Sequence, residues 1–257
     1  MARILITGSS DGIGQAAAKL LADQGHKVTL HARNASRASE AKAAVPKAEG
    51  VLIGDLTNIA DVKELAKKAN DSGPWDAVVH NAGLGPSSSI GKTADGIGST
   101  FAVNTLAPYI LTCLMNKPKR LLYLSSSMHS SGDGSLKDLT WSNRTWDPYQ
   151  AYCDSKLHDT MLANVVARYW PDVQSCSLDP GWISTKMGGA NAPGVVATPS
   201  KAIGDYAVGN SGLTGDRTGV YFNPQALKTP HSAANDEKKQ EQLLKICEEL
   251  SGVSFSA

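Results

Sequence analysis

A doubly wound α/β architecture of the Rossmann type is predicted, with a mainly parallel seven-stranded sheet and helices on both faces. Three observations predict it. Short apolar runs alternate with helical stretches along most of the 257 residues. The runs are continuously apolar, as strands buried on both faces must be. The first run ends in a glycine-rich turn that opens a helix, so a ligand site is expected beyond the carboxyl ends of the strands.

Strands are predicted at Arg3–Thr7, Lys27–Ala32, Gly50–Ile53, Ala77–His80, Arg120–Leu124, Val173–Leu178 and Gly219–Phe222. Helices are predicted over Ile13–Gln24, Ser36–Ala44, Ala60–Ala69, a segment around Gly98–Met115, Gln150–Trp170, Lys201–Val208 and Ala234–Leu250. In Gln150–Trp170, the residues Leu157, Met161, Leu162, Val165 and Val166 recur at helical spacing with no Gly or Pro between them. No repeat or linker divides the chain, so residues 1–257 are expected to form one domain, a normal size for this architecture.

Composition excludes several classes. Lys and Arg total 25 against 24 for Asp and Glu, which gives no basic footprint for a nucleic acid. Cys113, Cys153, Cys176 and Cys247 are far apart and form neither a disulfide framework nor a zinc knuckle. The six histidines show no metal-ligand spacing, so no metal is expected. The chain enters its first strand at once, and no apolar run approaches the roughly 20 residues that span a bilayer. A cytoplasmic protein without membrane attachment is expected.

The first strand ends Thr7-Gly8-Ser9-Ser10-Asp11-Gly12-Ile13-Gly14. Such a turn lets backbone approach a pyrophosphate, which the helix N-terminus then stabilises. The second strand ends Ala32-Arg33-Asn34, offering a guanidinium where an acid would hold the ribose hydroxyls of NAD. Arg33 therefore favours a 2′-phosphate, that of NADP(H), with NAD(H) still possible. After the third strand, Asp55 in Gly54-Asp55-Leu56 either accepts from an adenine amino group or, with Thr57, caps the next helix. The small residues in Asn81-Ala82-Gly83 let backbone pass close to a ribose, while Asn81 ties off strand ends. Tyr152 and Lys156 stand four residues apart on one helical face. An ammonium near a phenol favours the phenolate and lowers a pKa that begins near about 10, which would make Tyr152 a proton donor and acceptor.

Taken together these motifs resemble the single-domain short-chain dehydrogenases/reductases. They occur in that family's order: glycine turn, Asp55, Asn81-Ala82-Gly83, Asn104, a serine after the fifth strand, Tyr152-x-x-x-Lys156 and Pro180-Gly181. The likeness runs from Ile4 to about Leu250 and is nearest to retinol-dehydrogenase-like and carbonyl-reducing members. The segments Leu124–His129, Ala151–Leu157 and Thr218–Phe222 and the insert before Tyr152 carry that part of it.

The resemblance implies a catalytic set of Asn104, Ser126, Tyr152 and Lys156. Tyr152 would protonate a carbonyl oxygen, Ser126 would hold that oxygen, Lys156 would hold the nicotinamide ribose, and Asn104 would position a proton-passing water. Ser126 is chosen as the second of the Ser-Ser pair ahead of x-x-His, with Ser125 and Ser127 left as alternatives. The resemblance also brings Pro180, Gly181, Ile183 and Thr185 to the cofactor. The Gly-, Ala- and Pro-rich stretch at 184–199 would be either a substrate lid or an ordinary surface loop.

Trp182, Met187, Met128 and Trp141 are candidates for an apolar substrate wall or for core. His129 alone among the histidines is placed to touch substrate, and the insert Gly132–Pro148 is expected at the pocket rim. Two departures stand out: Asp11 puts an acid in the glycine turn, and His80 replaces the first Asn of the usual Asn-Asn-Ala-Gly. A small carbonyl or alcohol substrate is implied, and by family habit a homodimer or homotetramer through the helices Gly98–Met115 and Gln150–Trp170, although carbonyl-reductase-like monomers occur. A regulator that senses NADP without turnover would be expected to lack Tyr152 or Lys156.

Overall fold

The computed structural model describes residues 1–86 and 91–257. Its strands are β1 (Arg3–Ile6), β2 (Lys27–Ala32), β3 (Gly50–Ile53), β4 (Ala77–His80), β5 (Arg120–Leu124), β6 (Gln174–Leu178), β7 (Tyr221–Phe222) and β8 (Leu227–Lys228). They form one sheet in the order β3-β2-β1-β4-β5-β6-β7-β8, parallel throughout except for the β7–β8 pair. The sheet has one strand more than the seven expected. The extra strand is a two-residue antiparallel return, too short to carry a periodicity.

Winding reverses between β1 and β4, which pair side by side although two strands and three helices separate them in the chain. A crevice opens at such a reversal, beyond the strand ends. Alternation along the strands divides the core. Leu5, Val78, Leu121 and Tyr123 face one layer with α3 (Ile59–Ser72), α5 (Ala107–Leu114) and α6 (Pro148–Tyr169). Ile4, Ile6, Val79 and Leu122 face the other with α1 (Gly12–Asp23) and α7 (Ala197–Ala207).

The helix predicted around Gly98–Met115 is not uniform. It begins as α4 (Ser99–Phe101), loosens into a π-helical turn at Ala102–Leu106, and continues as α5. Pro108 has no N–H for the carbonyl of Asn104 four residues before it, so the regular ladder fails there. Single π turns recur at functional sites.

The helix α6 starts cleanly because Asp147 caps the amides of Tyr149 and Gln150 while Pro148 occupies the first turn. Every residue from Ala151 to Val166 is buried within the one chain. The insert does part of this covering. Arg144 and the Asp133 amide both bond Asp154 on α6, and Arg144 lies 3.5 Å over the Trp141 ring. The insert therefore packs on α6, and none of its residues lines the crevice. The C-terminal helix α8 (Glu237–Ser251) covers another part. Among the described residues no helix is long and apolar enough to cross a membrane.

Candidate active site

The reversal between β1 and β4 opens a cleft of about 860 Å³. Gly8, Ser10, Asp11, Gly12 and Ile13 line it from the first turn, Arg33 from the end of β2, and Asp55 and Leu56 from the end of β3. Asn81, Ala82 and Gly83 line it after β4, Pro180 and Thr185 after β6, and Tyr152 and Lys156 from α6. Gly14, Asn104, Ser126, Gly181 and Ile183 are not among the lining residues.

Gly14 has a packing role instead. A Cβ there would lie 2.3 Å from Asn81 Nδ2, which donates to the carbonyls of Thr7 (2.8 Å) and Gly8 (3.2 Å). Gly8 adopts φ +62°, and a Cβ on it would sit 2.6 Å from Ala82 Cα. Both glycines thus let β1 and β4 end in contact. His31 buttresses the turn from β2. Its Nδ1 accepts from the Gly8 amide at 2.9 Å, and its Nε2 lies 3.0 Å from the Gly54 carbonyl. Burial lowers its pKa, so the ring is a neutral bridge between three strand ends. Its position at a strand end was the only sequence signal for this role.

At the same end of the cleft a second guanidinium joins Arg33. Arg37, on α2 (Ala35–Ala44), reaches back to the Ser10 carbonyl at 3.3 Å and lies 3.5 Å from Asp11. Lys186 also pairs with Asp11 at 2.7 Å. The Lys186 hydrogen bond, with the Gly12 amide and Arg37, holds the Asp11 carboxyl below the usual range. The acid that departs from the family pattern is thereby flanked by two cations. Asp55 does not cap α3: its Oδ1 accepts from both the amide and the hydroxyl of Thr57, and Asn58 is the cap.

At the inner end, Tyr152 is buried, and Ser126 Oγ accepts from the Met128 amide at 3.2 Å. Ser125 lines the cleft, but its hydroxyl is engaged, donating to the Lys156 carbonyl and accepting from Thr160. Lys156 Nζ lies 5.6 Å from the centre of the Tyr152 ring and donates to Leu124 O (2.6 Å) and Asp159 Oδ2 (2.8 Å). The expected lowering of the Tyr152 pKa does not prevail. Burial raises it, and the Lys156 charge and the Ser126 hydroxyl only offset part of that rise. The Asn104 side chain is engaged on both sides: Oδ1 accepts from the Leu84 amide at 2.7 Å, and Nδ2 donates to Leu84 O and Ser155 Oγ.

His129 does not face the cleft. Its Nδ1 lies 2.7 Å from the Ser126 carbonyl, and its Nε2 accepts from the His231 amide at 3.0 Å. It therefore fixes the backbone beside Ser126 rather than meeting substrate. Trp141 is buried against Trp146 and Arg144, inside the insert. Met128 is half-buried and outside the cleft lining.

The loop after β6 is pinned to itself by Ser184 N to Gly194 O and Gly194 N to Trp182 O. It brings Met187 to the cleft and leaves Trp182 and Val195 exposed. It ends at Val196, because α7 starts at Ala197 with Pro199 in its first turn. Residues 197–199 are therefore helix rather than loop.

Residues 2–121 match the family model described as short chain dehydrogenase. An uncharacterized oxidoreductase of Emericella nidulans is 52% identical over 98% of this chain and 98% of that protein. The short-chain dehydrogenase chry4 of Gibberella zeae is 43% identical over 99% of each. The solved structure of a protein from Mycobacterium paratuberculosis superposes with a TM-score of 0.79 at 23% identity, covering 100% of this chain and 96% of that one. With the reversal cleft, the glycine turn and the Tyr152–Lys156 pair, these likenesses lead to one conclusion: the chain belongs to the short-chain dehydrogenase/reductase family and is an oxidoreductase.

Proposed function

We propose that the protein is an NADP-dependent oxidoreductase that moves a hydride between the nicotinamide and a carbonyl or secondary alcohol of a small, hydrophobic substrate. The observation that carries this reading is one cleft with Arg33 and Arg37 at its outer end and Tyr152 and Lys156 at its inner end. The residues present fit a dinucleotide. Gly12 leaves open space up to a Thr185 methyl 3.6 Å from its would-be Cβ, and the cations Arg33, Arg37, Lys156 and Lys186 line the same cleft. When bound, the nicotinamide supplies or takes up the hydride.

The chain's own groups do the rest. Arg33 and Arg37 would hold the 2′-phosphate, the amides opening α1 the pyrophosphate, and Lys156 the nicotinamide ribose. Ser126 Oγ orients the substrate oxygen, and Tyr152 Oη passes its proton to that oxygen in reduction or takes one in oxidation. Asn104 contributes through its backbone carbonyl. Its side-chain amide is engaged by Leu84 and Ser155, and Pro108 cannot give that carbonyl the usual four-residue helical bond. The loop 184–196 covers the substrate, and Met187, Leu84 and Val103 give the cleft an apolar wall.

NAD(H) is the second reading, and Asp11 beside the turn is what favours it. Arg37 and Lys186 paired with that acid favour the first. Titration of nicotinamide fluorescence with NADPH and NADH tests the choice. NADPH is expected to bind at least about tenfold tighter, about 1.4 kcal/mol, and Arg33→Ala to remove most of the gap. Equal binding of the two would move the NAD reading ahead.

A further inference from the structure

Lys156 does not stand alone behind Tyr152. Its ammonium is bonded at 2.8 Å to Asp159, one turn along α6, and the two side chains are only 6% and 3% exposed. A carboxylate buried this deeply is costly unless it is paired, so the bond to Lys156 is what keeps it there. The pairing also acts on Tyr152. A free ammonium would favour the phenolate, whereas one bonded to a carboxylate presents a far smaller net charge.

The charged and titratable neighbours of Tyr152 are Lys156 and Asp159 from α6, and Asp179 from the end of β6. Ser126, from the segment after β5, is the neighbour whose hydroxyl opposes the rise in the Tyr152 pKa. Asp159 is faced in addition by the buried phenol of Tyr123 on β5. Asp179 is itself fixed, accepting from the Gly181 amide at 2.9 Å. Two fixed carboxylates therefore oppose one ammonium around the phenol.

We propose that Asp159 is a positioning residue acting through Lys156: it fixes the ammonium, offsets its charge, and so keeps Tyr152 a protonated phenol poised to donate in carbonyl reduction. This rests on the reading of Tyr152 as the general acid given above, and it adds the working direction of the site. The electrostatics agree. Burial raises Tyr152 most, Lys156 and Ser126 lower it, and Asp159 and Asp179 push it up again. Burial also pushes the Asp159 carboxyl above the usual carboxylate range, so the pair titrates as a unit.

The test uses Asp159→Asn, which keeps the shape and an oxygen toward Lys156 and removes only the charge. Tyrosinate absorbance of the cofactor-free protein is titrated with alkali, with Tyr152→Phe subtracted to isolate Tyr152. In the wild type Tyr152 should ionise above the ordinary phenol value of about 10. In Asp159→Asn its ionisation constant should rise about tenfold, moving the titration down by about one pH unit. The alkaline limb of NADPH-dependent carbonyl reduction should move the same way. An unchanged or higher Tyr152 titration in Asp159→Asn overturns the proposal. So does a wild-type Tyr152 that ionises below the ordinary value, which needs no variant at Asp159. Neither titration involves cofactor or substrate. A shift seen without any NADPH turnover would leave the role of Asp159 standing and remove the reductase reading, and turnover without the shift would do the reverse.

Discussion

Tyr152, Arg33 and Arg37 each do their work through charges that lie elsewhere in the chain. Removing either guanidinium takes away a charge-assisted hydrogen bond of about 1.5–3 kcal/mol. Arg33→Ala and Arg37→Ala should therefore each weaken NADPH binding roughly tenfold to a hundredfold and leave NADH binding nearly unchanged. Isothermal titration checks this, and equal losses for both dinucleotides would mean that the arginines are not reading the 2′-phosphate. Arg33 was legible in the sequence because the position after the second strand has a known task. Arg37 was not, since nothing local distinguishes it from a helix-surface arginine paired with Glu40. The Tyr152 pKa was misjudged for a related reason: the four-residue spacing reports the ammonium, but burial and the two carboxylates come from packing.

At the scale of elements, the first turn and the end of β4 must touch. Gly14→Ala would drive a methyl into Asn81 and break its bonds to Thr7 and Gly8. Overpacking of this kind costs about 1–3 kcal/mol. Urea unfolding should show that loss together with weaker NADPH binding. Full stability in Gly14→Ala would contradict the packing role. The motif was readable because all its residues are contiguous. Its support from His31 was not, because that contact crosses from β2 to β1 and β3. The π-helical turn was equally hidden within a stretch whose apolar pattern reads as one helix, although Pro108 marks where the ladder must fail. The insert Gly132–Pro148 gave no periodicity because its buried Leu136, Leu139 and Trp141 fit no helical or strand spacing, and polar anchors such as Arg144–Asp154 and the Asp138 carboxylate help to hold it.

For the whole molecule, the covering of α6 bears on assembly. The two helices expected to pair between copies are buried by the insert, by α8 and by the rest of the chain from Ala151 to Val166 and from Phe101 to Thr112. Light scattering should therefore give the mass of one chain, and a stable dimer would require a different surface. Acid should act on the fold through the buried histidines. Burial lowers His80 from its ordinary value of 6.5 to about 3. A base with a depressed folded pKa contributes stability above its unfolded pKa, and that contribution is lost as pH falls toward the folded one. Between pH 6.5 and 3 His80 should cost about 1.4 kcal/mol per pH unit. His80→Asn should flatten this decline in thermal unfolding, and an unaltered slope would assign the acid sensitivity to other groups.

The most direct measurement sets the wild type beside Tyr152→Phe, following NADPH consumption over a panel of hydrophobic ketones and aldehydes with NADPH binding measured on both. If Tyr152 donates the proton, the variant should bind NADPH as the wild type does and lose turnover by on the order of 10²–10⁴-fold. A variant that binds NADPH and reduces the same carbonyls at the wild-type rate would contradict the account.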